Sequence, residues 1–332
     1  WDWNAEIAQN SDNIDENFST TENRSTGILR NSINRQDTYG LISKLNFNVS
    51  DALEMQVGLD WRTAGIEHAR EVRDLLGGDY YVDYADDNFE EGKVVKLGDI
   101  IAYHNETTVD WLGGFVQANY TTDKMNVYGM GGVSQIEYSY QDHFTVENEV
   151  IKADPISTMQ VKGGAMFNIN DDMKVFFNTG LVEKAPIMDN VIYYDGTVAS
   201  DPSNEKFLHN EFGVNYRFGK LGLNASAYNT DWQDRNLTKS VTTGQGSSGD
   251  TDIIFLTGVN QKHQGLELET NYMVNDMLDL MFVASFGNWK FDGDADGTYQ
   301  ETEYNSEGQA VGFKTTEYAY ALDGLYVGDM PQ

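Results

Sequence analysis

Wherever this 332-residue chain is apolar, the apolar positions recur at every second residue rather than at helical spacing. The clearest run is Leu53-Glu54-Met55-Gln56-Val57-Gly58-Leu59-Asp60-Trp61, with five apolar side chains on one face and polar residues or Gly on the other. No helix groups residues in this way. Just upstream, Leu41, Ser43, Leu45, Phe47 and Val49 alternate with Ile42, Lys44, Asn46 and Asn48, and only Ser50-Asp51-Ala52 separates the two runs. That spacing predicts a hairpin. The unit recurs at 112–120 and 125–135 across Thr121-Thr122-Asp123-Lys124, and at 159–169 and 173–181 across Asn170-Asp171-Asp172. It recurs again around Gly219-Lys220, between Phe212, Val214, Tyr216, Phe218 and Leu221, Leu223, Ala225, Ala227, and around Asn275-Asp276-Met277, between Leu266, Leu268 and Leu278, Leu280.

The connections between hairpins are long and polar, at residues 62–111, 136–158, 182–210 and 233–264, so short and long connections alternate strictly. Strands of about 9–11 residues with one apolar face, tight turns at one end and long loops at the other predict an all-β fold, an antiparallel transmembrane β-barrel with short periplasmic turns and long extracellular loops. Counting 1–9 and a strand near 315–322 gives about twelve strands. Trp61, Trp111, Tyr120, Trp232, Tyr272 and Trp289 fall near strand ends, where an aromatic girdle or ordinary core packing would place them equally well. Glu54, Gln56, Asp60, Lys44, Asn46, Asn48, Glu211, Asn215, Arg217, Glu267, Glu269 and Asn271 face away from the apolar side. A dry core would not hold them; a hydrated or plugged lumen would.

Composition narrows the partners. With 22 Lys+Arg against 53 Asp+Glu the formal charge is −31, which repels phosphate backbones and excludes nucleic acid as a partner. There is no Cys, hence no disulfide framework or thiolate chemistry. No apolar run of about 18 residues provides a helical span, which leaves a barrel open. No linker divides the chain, and its ends carry no targeting pattern, so residues 1–332 are expected to be part of one barrel domain in a mature chain or a fragment.

Several stretches resemble the C-terminal half of TonB-dependent outer-membrane receptors. They are Val175-Phe176-Phe177-Asn178-Thr179-Gly180, Ala185-Pro186, Asn204-Glu205-Lys206, Asn210-Glu211-Phe212-Gly213-Val214-Asn215-Tyr216-Arg217 and Tyr228-Asn229-Thr230-Asp231-Trp232-Gln233-Asp234-Arg235. Gly265-Leu266-Glu267-Leu268-Glu269 is similar to that family's KGxELE-like strand, with His263-Gln264 in place of the basic lead-in. Upstream, Arg73-Asp74-Leu75-Leu76-Gly77-Gly78-Asp79-Tyr80-Tyr81, Gly98-Asp99-Ile100-Ile101-Ala102-Tyr103-His104 and Gly113-Gly114-Phe115-Val116-Gln117 resemble a subgroup of it. The resemblance implies roughly half of a 22-stranded plugged barrel in the outer membrane, with the plug, its TonB box and the last strands not present. It also implies active import: loops bind a scarce nutrient outside, and the TonB energy-coupling complex displaces the plug.

Asp292, Asp294, Asp296, Gly297 and Glu303 fit D-x-D-x-D-G-x₅-E, a calcium-loop pattern. The ligands expected are Asp292, Asp294, Asp296, the Thr298 carbonyl, Gln300 and Glu303, with Gly297 permitting the turn; an acidic solvated loop is the plain reading beside it. Asp83, Asp86, Asp87, Glu90 and Glu91 cluster without ligand spacing. His68, His104, His143, His209 and His263 are scattered, with no H-x-x-x-H, G-x-S-x-G or P-loop, so no enzyme activity is expected. Candidate ligand contacts are Tyr80, Tyr81, Tyr84, Tyr103, Tyr193 and Tyr194, whose rings suit sugars or chelates. The expected cargo is a small molecule, a metal chelate, a glycan or a peptide, with outer-membrane lipid and a surface lipoprotein lid as further partners. The rival readings are a passive porin or surface-binding barrel, and a secreted soluble all-β binding protein.

Overall fold

The computed structural model describes residues 2–146, 148–193, 196–200, 202–243, 250–304 and 310–328. In chain order its elements are α1 (Trp3–Asn10), β1 (Arg24–Ser25), β2 (Leu29–Asn48), β3 (Leu53–Asp74), β4 (Tyr80–Asp83), β5 (Lys93–Val95), β6 (Ile100–Thr121), β7 (Met125–Asp142) and β8 (Val150–Lys152). They continue with β9 (Ile156–Asn168), β10 (Met173–Lys184), β11 (Glu205–Phe218), β12 (Leu221–Thr243), β13 (Asp250–Asn275), β14 (Leu278–Phe291), β15 (Ala295–Tyr304) and β16 (Ala310–Tyr320).

One antiparallel sheet runs in the order β16-β15-β13-β12-β11-β10-β9-β7-β6-β3-β2, with β14 also on β13 and β8 on β7. Every predicted hairpin forms. β14 and β15 lie along the same flank of β13, from Asn275↔Leu278 through Gln261↔Phe291 and then from Thr257↔Asp296 to Ile253↔Gln300, so they are one strand interrupted at residues 292–294. Among the described residues the wall therefore has eleven strands, close to the dozen expected. The segment 1–9, counted as a strand from the sequence, does not join the wall over its described residues. Instead Asp2 caps a helix, its Oδ1 accepting from Ala5 N at 3.2 Å, and the buried Asn10 amide donates to the carbonyls of Gly27, Leu75 and Leu76. Among the described residues β2 and β16 each pair on one side, leaving the sheet open.

Register places the apolar residues on one face: Leu45↔Val57↔Val116↔Gly131, Leu59↔Gly114 and Val214↔Ala225↔Leu268↔Ala284. Leu45, Leu59, Leu112, Val133, Phe212, Leu266 and Phe286 are all exposed on it, a continuous outward belt. The other face is polar and internally bonded. Gln56 donates to Asn46, Asn178 donates to Glu211, and Tyr128 donates to Asn178. Of the candidate girdle, Trp61, Tyr120 and Tyr272 lie outward, whereas Trp232 donates inward to Glu205 and Trp289 to the Tyr228 hydroxyl, and Trp111 packs in an inner cluster.

The strands are longer than the pattern predicted. β3 and β6 each have 22 residues and β12 has 23, about twice what crossing a bilayer needs. Most of what reads as long polar loops, 62–74 and 100–111 among them, is strand continuing past the belt.

Candidate functional site

Among the described residues the dry apolar clusters lie at the end of the long connections rather than in the belt of the wall. One joins Ile136, Tyr138, Tyr140, Ile156, Val191 and Ile192; the other joins Val72, Leu75, Val95 and Ile101, with Ile28 and Tyr81 against it. The wall faces lipid and lumen, so only the projecting ends and their loops can exclude both. A three-stranded sheet, β1 parallel to β4 and β4 antiparallel to β5, caps this rim, and α1 docks beside it through Asn10.

That architecture sorts the candidate tyrosines. Tyr80 is fully buried in β4, and burial pushes its phenol upward; Tyr81 is half-buried, raised first by burial and next by Asp83. Both are packing residues. Tyr103 lies under the Arg70 guanidinium, 5.0 Å from the ring centroid. Tyr84 is 59% exposed and Tyr193 45% exposed, and both face solvent at the rim. Tyr84 also receives Arg24 Nη2 at 3.3 Å, and Arg24 pairs with Asp15. Tyr194 lies outside the described residues.

Within the acidic cluster Asp87, Glu90 and Glu91 are exposed, whereas Asp83 and Asp86 are buried. Asp86 is buried and accepts from Asn88 N, Asn88 Nδ2 and Lys93 Nζ, the last at 3.0 Å. Lys93 in turn covers the rings of Phe89 and Phe144, and Asp87 N donates to Phe144 O, tying this loop to the end of β7. Burial alone would raise the Asp86 carboxyl, but the bonds from Asn88 and Lys93 outweigh it and hold it below the usual carboxylate range. A value lowered by folding contributes stability that is complete above the unfolded value, about 3.9, and is lost as pH falls through the folded one. Hydrogen exchange, corrected for intrinsic rates, is therefore expected to show the loop at 84–93 opening more readily as pH drops below about 4. Asp86→Asn removes that dependence and opens the loop at neutral pH.

The calcium pattern does not form a cage. Asp292 and Asp294 sit at the break between β14 and β15, where Gly293 has φ +98°, but Asp296, Thr298, Gln300 and Glu303 run in extended β15. Seven residues of strand separate Asp296 from Glu303 by about 23 Å, whereas calcium ligands must all lie about 2.3–2.6 Å from one point. The aspartates are instead bonded to protein: Asp294 Oδ1 accepts from Leu322 N at 3.0 Å and Asp323 N at 3.1 Å, and Asp292 faces Lys262 at 3.6 Å. The structure thus places the six residues at a strand break locked to the turn after β16 and along the strand that follows it. Nor are the histidines all scattered. The register brings His104 opposite His143, beside Glu106 and Glu67. Counting outward from Tyr120↔Val127 at the predicted turn reaches that pair, a signal available in the sequence.

The family description "TonB dependent receptor-like, beta-barrel" matches residues 1–328. No curated protein sequence matches the chain. Among solved structures, "Copper transporter OprC" superposes with a TM-score of 0.54 at 14% identity, covering 87% of this chain and 48% of that one. The ferric yersiniabactin uptake receptor FyuA from Yersinia pestis superposes with a TM-score of 0.50 at 12% identity, covering 89% of this chain and 48% of that one. The chain spans about half the length of each, and at these identities the likeness is one of fold. With its outward apolar belt, polar inner face and alternating turns, this chain belongs to the β-barrel family of TonB-dependent receptors, bacterial outer-membrane proteins.

Proposed function

We propose that this chain is about half of a plugged, 22-stranded barrel that captures a scarce nutrient at its rim and imports it with energy from the TonB complex. The observation that carries the reading is a polar, hydrogen-bonded inner face within an outward apolar belt, in a chain of the receptor family. Tyr84 and Tyr193 are the cargo contacts we assign, because among the described candidates theirs are the rings exposed at the rim. A small molecule, a metal chelate, a glycan or a peptide would each suit such rings, and a surface lipoprotein lid would dock on the same rim. No catalytic step is assigned. The rival is a passive porin; the belt and the family leave no place for a secreted soluble protein.

The test works whichever cargo is carried. In the source bacterium, deleting the gene is expected to leave at least one nutrient undepleted from a defined limiting medium, read by mass spectrometry of the spent medium. Disabling the energy-coupling protein is expected to reproduce the same loss. Uptake that survives loss of energy coupling would overturn active import in favour of a passive pore.

A further inference from the structure

The geometry points to a divalent transition-metal site formed by His104, His143 and Glu106 above the apolar belt, with Glu67 at its edge. His104 and Glu106 are two residues apart on β6 and so share a face. β7 brings His143 opposite His104, with His143 N donating to His104 O at 2.9 Å, and β3 brings Glu67 opposite Glu106. The two imidazoles are 4.5 Å apart between centroids. One ligand atom from each of His104, Glu106 and His143 lies within 4.8 Å of the others, the only such group among the described residues. Glu67 Oε1 is 3.2 Å from His104 Nε2, and Arg35 Nη1 holds Glu67 Oε2 at 3.1 Å.

Two features favour a cation over plain ion pairs. His143 Nε2 is shielded from solvent and has no hydrogen-bond partner, although Glu106 Oε1 is 3.5 Å away. A polar atom left so is costly unless something takes its lone pair or its proton. A metal would also take both rings as neutral ligands and add the charge that the carboxylates call for. Two imidazole nitrogens and a carboxylate oxygen suit Zn²⁺, Cu²⁺ or Ni²⁺ and not the all-oxygen shell of Ca²⁺ or Mg²⁺. To bind, the ligand atoms would close from within 4.8 Å of one another onto bonds of about 2.0–2.2 Å. The His and Glu67 side chains keep about a quarter of their surface exposed, so an ion has access. Bound there, it would pin the upper ends of β6 and β7 beside the Asp86 loop.

The site does not depend on the cargo or on energy coupling, so its test is separate from transport. Full-length protein in detergent, stripped with a chelator, is titrated with Cu²⁺ and read by electron paramagnetic resonance. The expected result is one equivalent bound with hyperfine structure from two nitrogens, displaced by Zn²⁺. His143→Gln and His104→Gln are each expected to abolish the two-nitrogen spectrum, Glu106→Gln to weaken binding by about tenfold or more, and His209→Gln, on a distant strand, to change nothing. Heat-modifiable gel mobility checks that each variant is folded, and Glu106→Gln, an exposed side chain, keeps the test open if a histidine variant misfolds. An all-oxygen spectrum, or a two-nitrogen spectrum unchanged in both histidine variants or moved by His209→Gln, would overturn the assignment, since a chain of net charge −31 binds cations loosely through its many carboxylates.

Discussion

Val116→Arg is expected to destabilise the folded barrel by about 2–4 kcal/mol, while Gln117→Arg, one residue on, changes stability little. The two positions have opposite solvents. Val116 pairs with Val57 and Gly131 on the outward face, at the centre of the run Leu112, Gly114, Val116, Ala118 and Tyr120, and is 43% exposed. That exposed surface meets hydrocarbon, where an Arg near the midplane cannot easily reach water. Gln117 pairs with Gln56 on the polar inner face, where a guanidinium finds water and carbonyl partners. Urea titration of full-length protein refolded into vesicles, with unboiled gel mobility as the readout of folded fraction, separates the two. Equal losses from both variants would mean that the exposed belt does not contact lipid.

What the sequence made legible follows from the same two solvents. Within the membrane one face must be apolar and the other polar, so 53–61 and 266–274 carry the period and the hairpins are read correctly down to their turns. Above the belt both faces meet water and the constraint vanishes. The upper half of β3, Arg62 to Asp74, has no period to read, and it passes for a loop although β2 pairs with it as far as Asp74 and β6 as far as Glu71. The same loss of constraint applies to residues 292–304: Asp-rich spacing was compatible with a turn, and only the pairing of β15 with β13 and β16 shows 295–304 extended. The helix at Trp3–Asn10 was counted as a strand because the capping Asp2 and the anchoring Asn10 were overlooked. Tyr80 could not be told from Tyr84 by type. Which of them is buried depends on β1, whose two residues, Arg24 and Ser25, leave no local pattern.

Gly58→Val is expected to cost about 1–3 kcal/mol in the native chain and to become neutral or stabilising once Phe115 is Ala. On the inner face four aromatic rings each lie over a cross-strand glycine: Phe115 over Gly58, Tyr128 over Gly164, Phe176 over Gly213 and Tyr228 over Gly265. Glycine weakens a strand by itself, because it loses more backbone entropy and has no side chain to pack. Its recurrence beneath a ring is explained if the ring takes the place of the missing side chain and shields the backbone. At Gly58, which is buried, the nearest atoms to an added Cβ are all in the Phe115 ring, with no backbone among them. The valine's Cβ therefore meets the ring first. Removing the ring removes the collision, and the higher strand propensity of valine is then free to act. Unfolding of the two single variants and the double variant in the same vesicles gives the coupling, expected to exceed about 1 kcal/mol. Additive losses would show that the glycine is there for some other reason, and the reading of the inner wall as rings laid across glycines would fail with it.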